Sequence, residues 1–167
     1  MVTPLSAAVV NAGYRRPPAS MVWVESAAEL ARFRRLLTEA DPADDPAKVV
    51  AAAFISSIDH GRDEDEWARH RAELILHAPA VQAQANNVYR QWRSAVAHFV
   101  AHRRGEGPDA PYPVAVSHAV LAASAAGHEI WLADPTADLV SCLRKMFAMM
   151  MPTDDAQVAM KRISSRE

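Results

Sequence analysis

Hydrophobic residues recur at every third or fourth position in six stretches of the chain, a spacing that predicts six α-helices. Ala, Leu, Arg, Glu and Met dominate these stretches, while alternating runs of β-branched and aromatic residues are scarce. We therefore predict an all-α fold, a single bundle of about six helices. The predicted helices are Ser26 to about Ala40, Pro46 to about Ile58, Glu64 to His77, Pro79 to Arg103 or Arg104, Pro113 through Trp131, and Thr136 to about Met151.

Polar residues and prolines at the ends of these stretches predict how the helices begin. Ser26, followed three positions later by Glu29, has the pattern of a capping box. Asp45 directly before Pro46 is typical of an N-cap and a first-turn proline, and Pro79 predicts the same first-turn role in the fourth helix. The helical domain should occupy residues 26–151, between an irregular arm at 1–25 and a C-terminal tail at 152–167.

Length and composition indicate one domain that needs no disulfide or metal to fold. A chain of 167 residues, 50% of them hydrophobic, can bury roughly two-thirds of its unfolded surface in one core. The only cysteine, Cys142, cannot form an internal disulfide, which fits a reducing cytoplasm. No stretch reaches the roughly 18 apolar residues of a membrane span, so we expect a soluble cytoplasmic protein without a membrane partner.

The charge distribution argues against DNA binding by this chain alone. The formal net charge is −2, and the basic residues are scattered rather than gathered into one patch. Binding to nucleic acid requires such a basic surface.

The candidate chemical motifs are weak, so we predict neither catalytic residues nor a metal or other cofactor. Glu66, His70, Glu73 and His77 are spaced four, three and four along one helix, but a helical metal site also needs ligands on facing helices. His98 and His102 lie one turn apart without a third ligand. No glycine-rich phosphate loop or nucleophile motif is present. An enzyme is therefore the less favoured interpretation.

The fourth predicted helix carries amides and aromatics beside its apolar stripe, as a mostly apolar pocket with a few orienting polar groups would require. These polar residues could instead cap loops or face water, with Trp92 filling the core. With neighbouring helices three and five, the predicted ligand-binding residues are His70, Leu74, Asn87, Val88, Trp92, Val96, His118 and Leu121.

Three segments resemble the C-terminal regulatory half of tetracycline-repressor (TetR) family transcription factors. They are "RHRAELILHAPAVQAQANNVYRQWRSAVAHFVAHRRG", "AVSHAVLAASAAGHEIWLADP" and "ADLVSCLRKMFAMM". The "SAAEL" at Ser26–Leu30 is similar to the step by which the family leaves its recognition helix, and the resemblance covers about Ser26 to Met151. The family's helix-turn-helix of about fifty residues would precede that step. Because only 25 residues precede Ser26, we expect either that the DNA reader is lost or that the start is cut or misassigned.

The resemblance implies a bacterial transcriptional regulator that forms a homodimer through its last two helices and encloses a small, mainly apolar effector. DNA would be a partner only if a longer form supplied the helix-turn-helix. Small residues on helix five and large ones on helix six suit close helix contacts, although these faces could also pack inside one subunit. A small helical enzyme or hydrophobic-ligand carrier remains the alternative. The predicted dimer-interface residues are Ala122, Ala126, Ile130, Leu139, Leu143, Met146, Phe147 and Met150.

Overall fold

The computed structural model describes residues 22–59 and 65–152, which contain six α-helices and no strand. The prediction of an all-α bundle of about six helices is confirmed. Most of the predicted arm, and all of the predicted tail except Pro152, lie outside the described residues. The helices are α1 (Val24–Glu39), α2 (Pro46–Ile58), α3 (Asp65–His77), α4 (Pro79–Arg104), α5 (Pro111–Ala133) and α6 (Leu139–Met150).

The start of α1 differs from the predicted capping box. The helix begins two residues earlier, after Trp23, whose side chain makes no capping hydrogen bond. Ser26 and Glu29 are instead buried inside the helix, where they contact other helices rather than the backbone at the end of α1. The capping-box prediction was wrong because Ser and Glu three residues apart give the same sequence pattern whether they cap a helix end or contact other helices.

The starts of α2 and α6 depend on aspartate caps. Asp45 Oδ1 accepts a hydrogen bond from the Lys48 amide at 2.9 Å, directly before the first-turn proline, as predicted. At α6, Asp138 Oδ2 accepts from the Ser141 amide at 2.8 Å. The sixth helix was predicted to begin at Thr136, but the amide and hydroxyl of that residue bond Asp134 Oδ1 in a turn, which delays the helix.

The C-terminal end of α4 is fixed by a glycine and an arginine. Gly105 has φ +65°, a left-handed conformation suited to glycine, and the next amide, of Glu106, donates to the Ala101 carbonyl at 3.0 Å. Arg103 donates to the carbonyls of Ala40 and Asp41 at 2.9 and 2.8 Å. This arginine therefore ties the end of α4 to the end of α1.

Aromatic rings from four helices meet in the main core. The Trp92 ring of α4 lies 5.1 Å from Phe33 of α1 and 4.9 Å from Phe54 of α2, measured between ring centroids. Phe147 of α6 lies 5.6 Å from the Phe54 ring. Buried aromatics contribute large apolar areas, so this group fixes the relative positions of the four helices.

Helices α5 and α6 cross very closely at Gly127. A Cβ atom at this position would lie 2.7 Å from Leu143 Cδ2 and 3.2 Å from Leu143 Cα. A side chain at this position would force the Leu143 side chain or the helices to shift, so glycine suits this approach. The small-and-large pairing seen in the sequence is thus used, at this point, to pack two helices of one protomer together.

Candidate ligand-binding cavity

A cavity of about 150 Å³ lies between α1, α3, α4 and α5, with Phe54 and Ile58 of α2 and Leu139 of α6 at its edge. Apolar cavities of this size can hold a ligand as large as benzene. Most of its wall is apolar. The lining residues are Trp23, Ser26, Glu29, Phe54, Ile58, Ala68, Arg71, Ala72, Ile75, Leu76, Val88, Tyr89, Trp92, Leu121, Ser124, Ala125, His128, Trp131 and Leu139.

Trp92 joins the cavity wall to the aromatic core. Its side chain is 4% exposed, and its indole nitrogen donates a hydrogen bond to Ser26 Oγ at 3.3 Å. Because its N–H already has a partner on α1, Trp92 presents mainly apolar ring surface to a ligand.

A buried ion pair connects α1 to α3 at the cavity wall. The Arg71 guanidinium donates to both oxygens of Glu29, at 2.7 and 3.0 Å, in a bidentate arrangement. Its Nε also donates to the Val22 carbonyl at 3.0 Å and lies 3.3 Å from the Glu25 carboxylate. Trp67, one turn before Arg71, donates from its indole nitrogen to the same Glu25 carboxylate at 2.9 Å. Two successive turns of α3 therefore hold two successive turns of α1.

Ser124 and His128 form a polar pair on the α5 wall. His128 Nδ1 lies 2.8 Å from the Ser124 carbonyl oxygen. Burial lowers the pKa of His128 below its ordinary value of 6.5, and the Arg71 charge lowers it further, whereas the bond to Ser124 and the Glu29 charge raise it. The net direction is down, so the imidazole is uncharged at neutral pH.

Two indole nitrogens at the cavity, those of Trp23 and Trp131, are buried without a hydrogen-bond partner in the described part of the chain. The Trp131 ring is packed beneath the Arg69 guanidinium, whose carbon lies 4.3 Å from the ring centroid. The Trp23 ring makes an edge contact with Tyr89 at 5.9 Å between centroids. Burial raises the pKa of the Tyr89 hydroxyl, although the charge of Arg71 opposes this, so the phenol also stays uncharged.

The structure places three of the eight predicted ligand-binding residues, Val88, Trp92 and Leu121, on the cavity wall. The other five lie elsewhere: Leu74 packs in a small cluster with Val22 and Val81, Val96 lies in the main core, Asn87 and His118 are exposed, and His70 lies beside the Trp67 ring. That any of the eight binds a ligand stays a prediction.

The sequence reasoning missed Ser26, Glu29 and His128 as polar residues of the cavity wall. On α5, stepping forward from Leu121 at helical spacing gives Ser124, His128 and Trp131, which all line the cavity, whereas the predicted His118 lies one turn back. Nothing in the sequence identifies Glu29 as the partner of Arg71, because the two lie 42 positions apart.

The residues considered as metal ligands lie on the surface or beside unrelated partners. Glu66, Glu73 and His77 are exposed, and His98 Nδ1 contacts the Ser94 carbonyl at 2.7 Å. Across residues 22–59 and 65–152, no three His, Cys, Asp or Glu side chains are grouped so that they could hold a metal ion. In the same ranges, no helix combines the length and apolar composition needed to cross a bilayer.

The predicted interface residues divide into exposed and buried groups. Ala122, Ile130 and Met150 are exposed, the last two by 45% and 40%. Leu143 and Phe147 are 0% and 3% exposed inside the protomer, where a second copy cannot reach them. The remaining three, Ala126, Leu139 and Met146, are half-buried. Leu139 also lines the cavity.

Comparison with known proteins relates the chain to a family model and to a named regulator. A family model described as the MftR C-terminal domain, of the TetR type, matches residues 44–154. The chain is also 30% identical over 127 residues to a Mycobacterium tuberculosis (strain ATCC 25618 / H37Rv) protein named as a mycofactocin biosynthesis transcriptional regulator, MftR. This match covers 75% of the chain and 63% of that protein, so the chain spans less than two-thirds of its relative's length.

Proposed function

Because the chain belongs to the TetR family of transcriptional regulators, we propose that it is the part of such a regulator that binds an effector and pairs with a second copy. Members of this family are not enzymes, and they typically dimerise and bind small ligands. The single observation that carries the effector proposal is the mostly apolar cavity of about 150 Å³ with a few polar side chains in its wall. A ligand pocket combines these properties.

The effector is a small, mostly apolar molecule held between Trp92, Val88 and Leu121. It acts through the difference between its affinities for two arrangements of the helices. The contacts of Arg71 with Glu29 and Glu25 support α1 as the helix that responds, since they join the cavity wall to α1 directly. In this family, α1 is the helix that follows the DNA reader.

The homodimer forms through the outward faces of α5 and α6. Ala122, Ala126 and Ile130 are spaced four residues apart and so share one side of α5. Met149 of α6 is 69% exposed, which is a large apolar side chain to leave in water. Glu129 on α5 and the exposed Arg144 and Lys145 on α6 supply opposite charges, which suit a two-fold interface in which α5 of one protomer packs on α6 of the other.

DNA would be a partner only of a form of the protein that carries a helix-turn-helix, and the site of action that we propose is the bacterial cytoplasm. The name of the mycobacterial relative makes the control regions of mycofactocin biosynthesis genes the first operators to test.

Sedimentation equilibrium of the purified chain, together with a thermal-shift titration with toluene, tests the proposal. We expect a dimer mass and a rise in melting temperature with toluene. Ile130→Glu should give monomers by placing a carboxylate in the apolar interface. Val24→Glu is the matched control, because Val24 is also exposed and apolar, at 69%, but lies on α1. It should stay dimeric.

A monomer that binds toluene would instead support a hydrophobic-ligand carrier. A dimer that binds no apolar ligand would contradict the sensing role. If Val24→Glu dissociated the dimer and Ile130→Glu did not, the α5 and α6 faces would be excluded as the interface.

A further inference from the structure

Aromatic side chains form an unusually large share of the cavity wall. Besides the almost fully buried Trp131, four of the 19 lining residues are aromatic, whereas aromatic residues make up 7% of the whole chain. Trp23 and Tyr89 are half-buried, so they retain surface that a ligand can cover. Phe54 and Trp92, each 4% exposed, lie deeper in the wall. The cavity therefore differs from a gap in an ordinary aliphatic core.

These four rings meet in two angled pairs. The Trp23 ring, directly before α1, contacts the Tyr89 ring of α4 edge to face, with centroids 5.9 Å apart and planes at 88°. The Phe54 and Trp92 rings lie 4.9 Å apart, with their planes at 57°. The face of an aromatic ring is electron-rich and its edge electron-poor, so a further aromatic ring gains from edge and face contacts with such a wall. A saturated ring lacks this charge distribution.

The volume of the cavity suits a single ring. At about 150 Å³, it has the size of an apolar cavity that holds benzene. Aliphatic side chains, among them Ile75, Leu76 and Leu121, supply much of the remaining wall. They can pack against a small alkyl substituent on the ring, because contacts between apolar groups have no preferred direction.

The charged groups in the wall compensate one another. All three nitrogens of the Arg71 guanidinium donate to protein oxygens, Nε to the Val22 carbonyl and the other two to both oxygens of Glu29. Glu25, whose carboxylate also lies near Arg71, is not one of the lining residues. His128 is uncharged at neutral pH, because burial lowers its pKa. A ligand carboxylate or ammonium group would therefore enter at a large desolvation cost, which a neutral ligand avoids.

We propose that the cavity selects uncharged aromatic molecules of about one ring, so that the effector of this chain is a neutral monocyclic aromatic compound. The ligand ring packs against the aromatic part of the wall, chiefly against Trp23 and Tyr89, the two least buried of its rings. The compensated pair of Glu29 and Arg71 disfavours ionised analogues of the same size. This inference rests on the proposed function, since it names the chemical class of the proposed effector.

The test compares toluene, methylcyclohexane, benzoate and benzylamine by calorimetric titration of the purified chain at pH 7.5. Methylcyclohexane has the larger apolar surface, so transfer from water alone would favour it over toluene. Aromatic contacts should reverse this order, and toluene should bind roughly fivefold more tightly. Benzoate and benzylamine, which are charged at this pH, should each bind roughly tenfold more weakly than toluene, or weaker still.

Variants of Tyr89 separate the effect of its ring from that of its hydroxyl. Tyr89→Leu removes the ring but keeps an apolar side chain, so it should lower the toluene-to-methylcyclohexane affinity ratio roughly threefold. Tyr89→Phe keeps the ring and should leave the ratio unchanged. Ile75→Val is the matched control, because it trims the same cavity wall without removing a ring, and it should also leave the ratio unchanged. If Tyr89→Leu fails to fold, the order of affinities in the unmodified chain still decides the question.

Each other outcome overturns the inference. If methylcyclohexane bound as tightly as toluene, or more tightly, the cavity would select by apolar area alone. Tightest binding of benzoate would mean an anion site at Arg71, and tightest binding of benzylamine would mean a cation site at Glu29. An unchanged ratio in Tyr89→Leu would show that the Tyr89 ring does not contact the ligand. In all these cases a ligand still binds and the proposed function stands. If none of the four compounds binds, the effector-sensing function itself fails.

Discussion

Replacing Glu29 with glutamine should destabilise the fold far more than its single atom change suggests. The substitution keeps the shape of the side chain but removes the negative charge that Arg71 contacts at 2.7 and 3.0 Å. The Arg71 and Glu29 side chains are 11% and 5% exposed, so water cannot replace the lost carboxylate. Arg71 would become a buried cation with incomplete compensation.

The size of the effect follows from burial and from the remaining partners. Removing one member of a buried ion pair typically costs about 3–5 kcal/mol. Arg71 keeps the Val22 carbonyl and the Glu25 carboxylate, which is 39% exposed. We therefore expect the lower end of that range, about 3 kcal/mol. For a domain of this size such a loss lowers the melting temperature by about 6–12 °C.

The assay is urea denaturation followed by far-UV circular dichroism, at one fixed protein concentration because dimerisation would make stability concentration-dependent. Glu39→Gln is the matched control: its pair with Arg35 spans 3.9 Å with both side chains more than 60% exposed, and it should change stability by less than about 0.5 kcal/mol. The double variant Glu29→Leu/Arg71→Met should recover most of the loss, since apolar replacement of both partners is often neutral. Equal effects of Glu29→Gln and Glu39→Gln would refute the reasoning.

Three further predictions concern the bundle. Gly127→Ala should lower the free energy of unfolding by about 1–2 kcal/mol in urea denaturation, because its Cβ would lie 2.7 Å from the buried Leu143 side chain. Gly107→Ala is the control: open space surrounds Gly107, so the change should be neutral or slightly stabilising. The opposite order would contradict the close approach of α5 and α6. The free energy of unfolding should fall as pH drops below 6.5, because the pKa of His128 is lowered in the folded chain, so that only the unfolded chain binds a proton there. His128→Phe should flatten this part of the pH profile. An unchanged profile would exclude His128 as the cause. Asp45→Ala should cost about 1 kcal/mol by removing the cap of α2, measured by the same denaturation, and no loss would mean that the cap is dispensable.

The helices were predictable because their signals are local. Apolar spacing, Asp45 before Pro46, and Pro79 each act within one or two turns, and the structure places α2 and α4 where these signals predict. The error at Ser26 has the same origin: a local pattern was read as a cap, although the residue serves a contact with Trp92, 66 positions away.

The cavity was only partly predictable because the packing between helices decides which polar side chains line it. Val88, Trp92 and Leu121 could be identified from their inward stripes. The exposed Asn87 and His118 could not be distinguished from His128 by residue type, since polarity alone does not show which side of a helix faces a cavity. The pairing of Arg71 with Glu29 depends on how α1 and α3 cross, which neither helix specifies by itself.

Arg69 and Arg71 give α3 a mechanical role. Two residues along a helix turn the side chain through about 200°, so the two arginines leave α3 on opposite sides. Arg71 donates to Glu29 of α1, while Arg69 donates to the Trp131 carbonyl at 2.8 Å and the Ala137 carbonyl at 3.3 Å, where α5 passes into α6. Hydrogen bonds thus join α3 to other elements on two opposite sides. A translation or rotation of α3 would either break one set of these hydrogen bonds or displace the neighbouring helices as well.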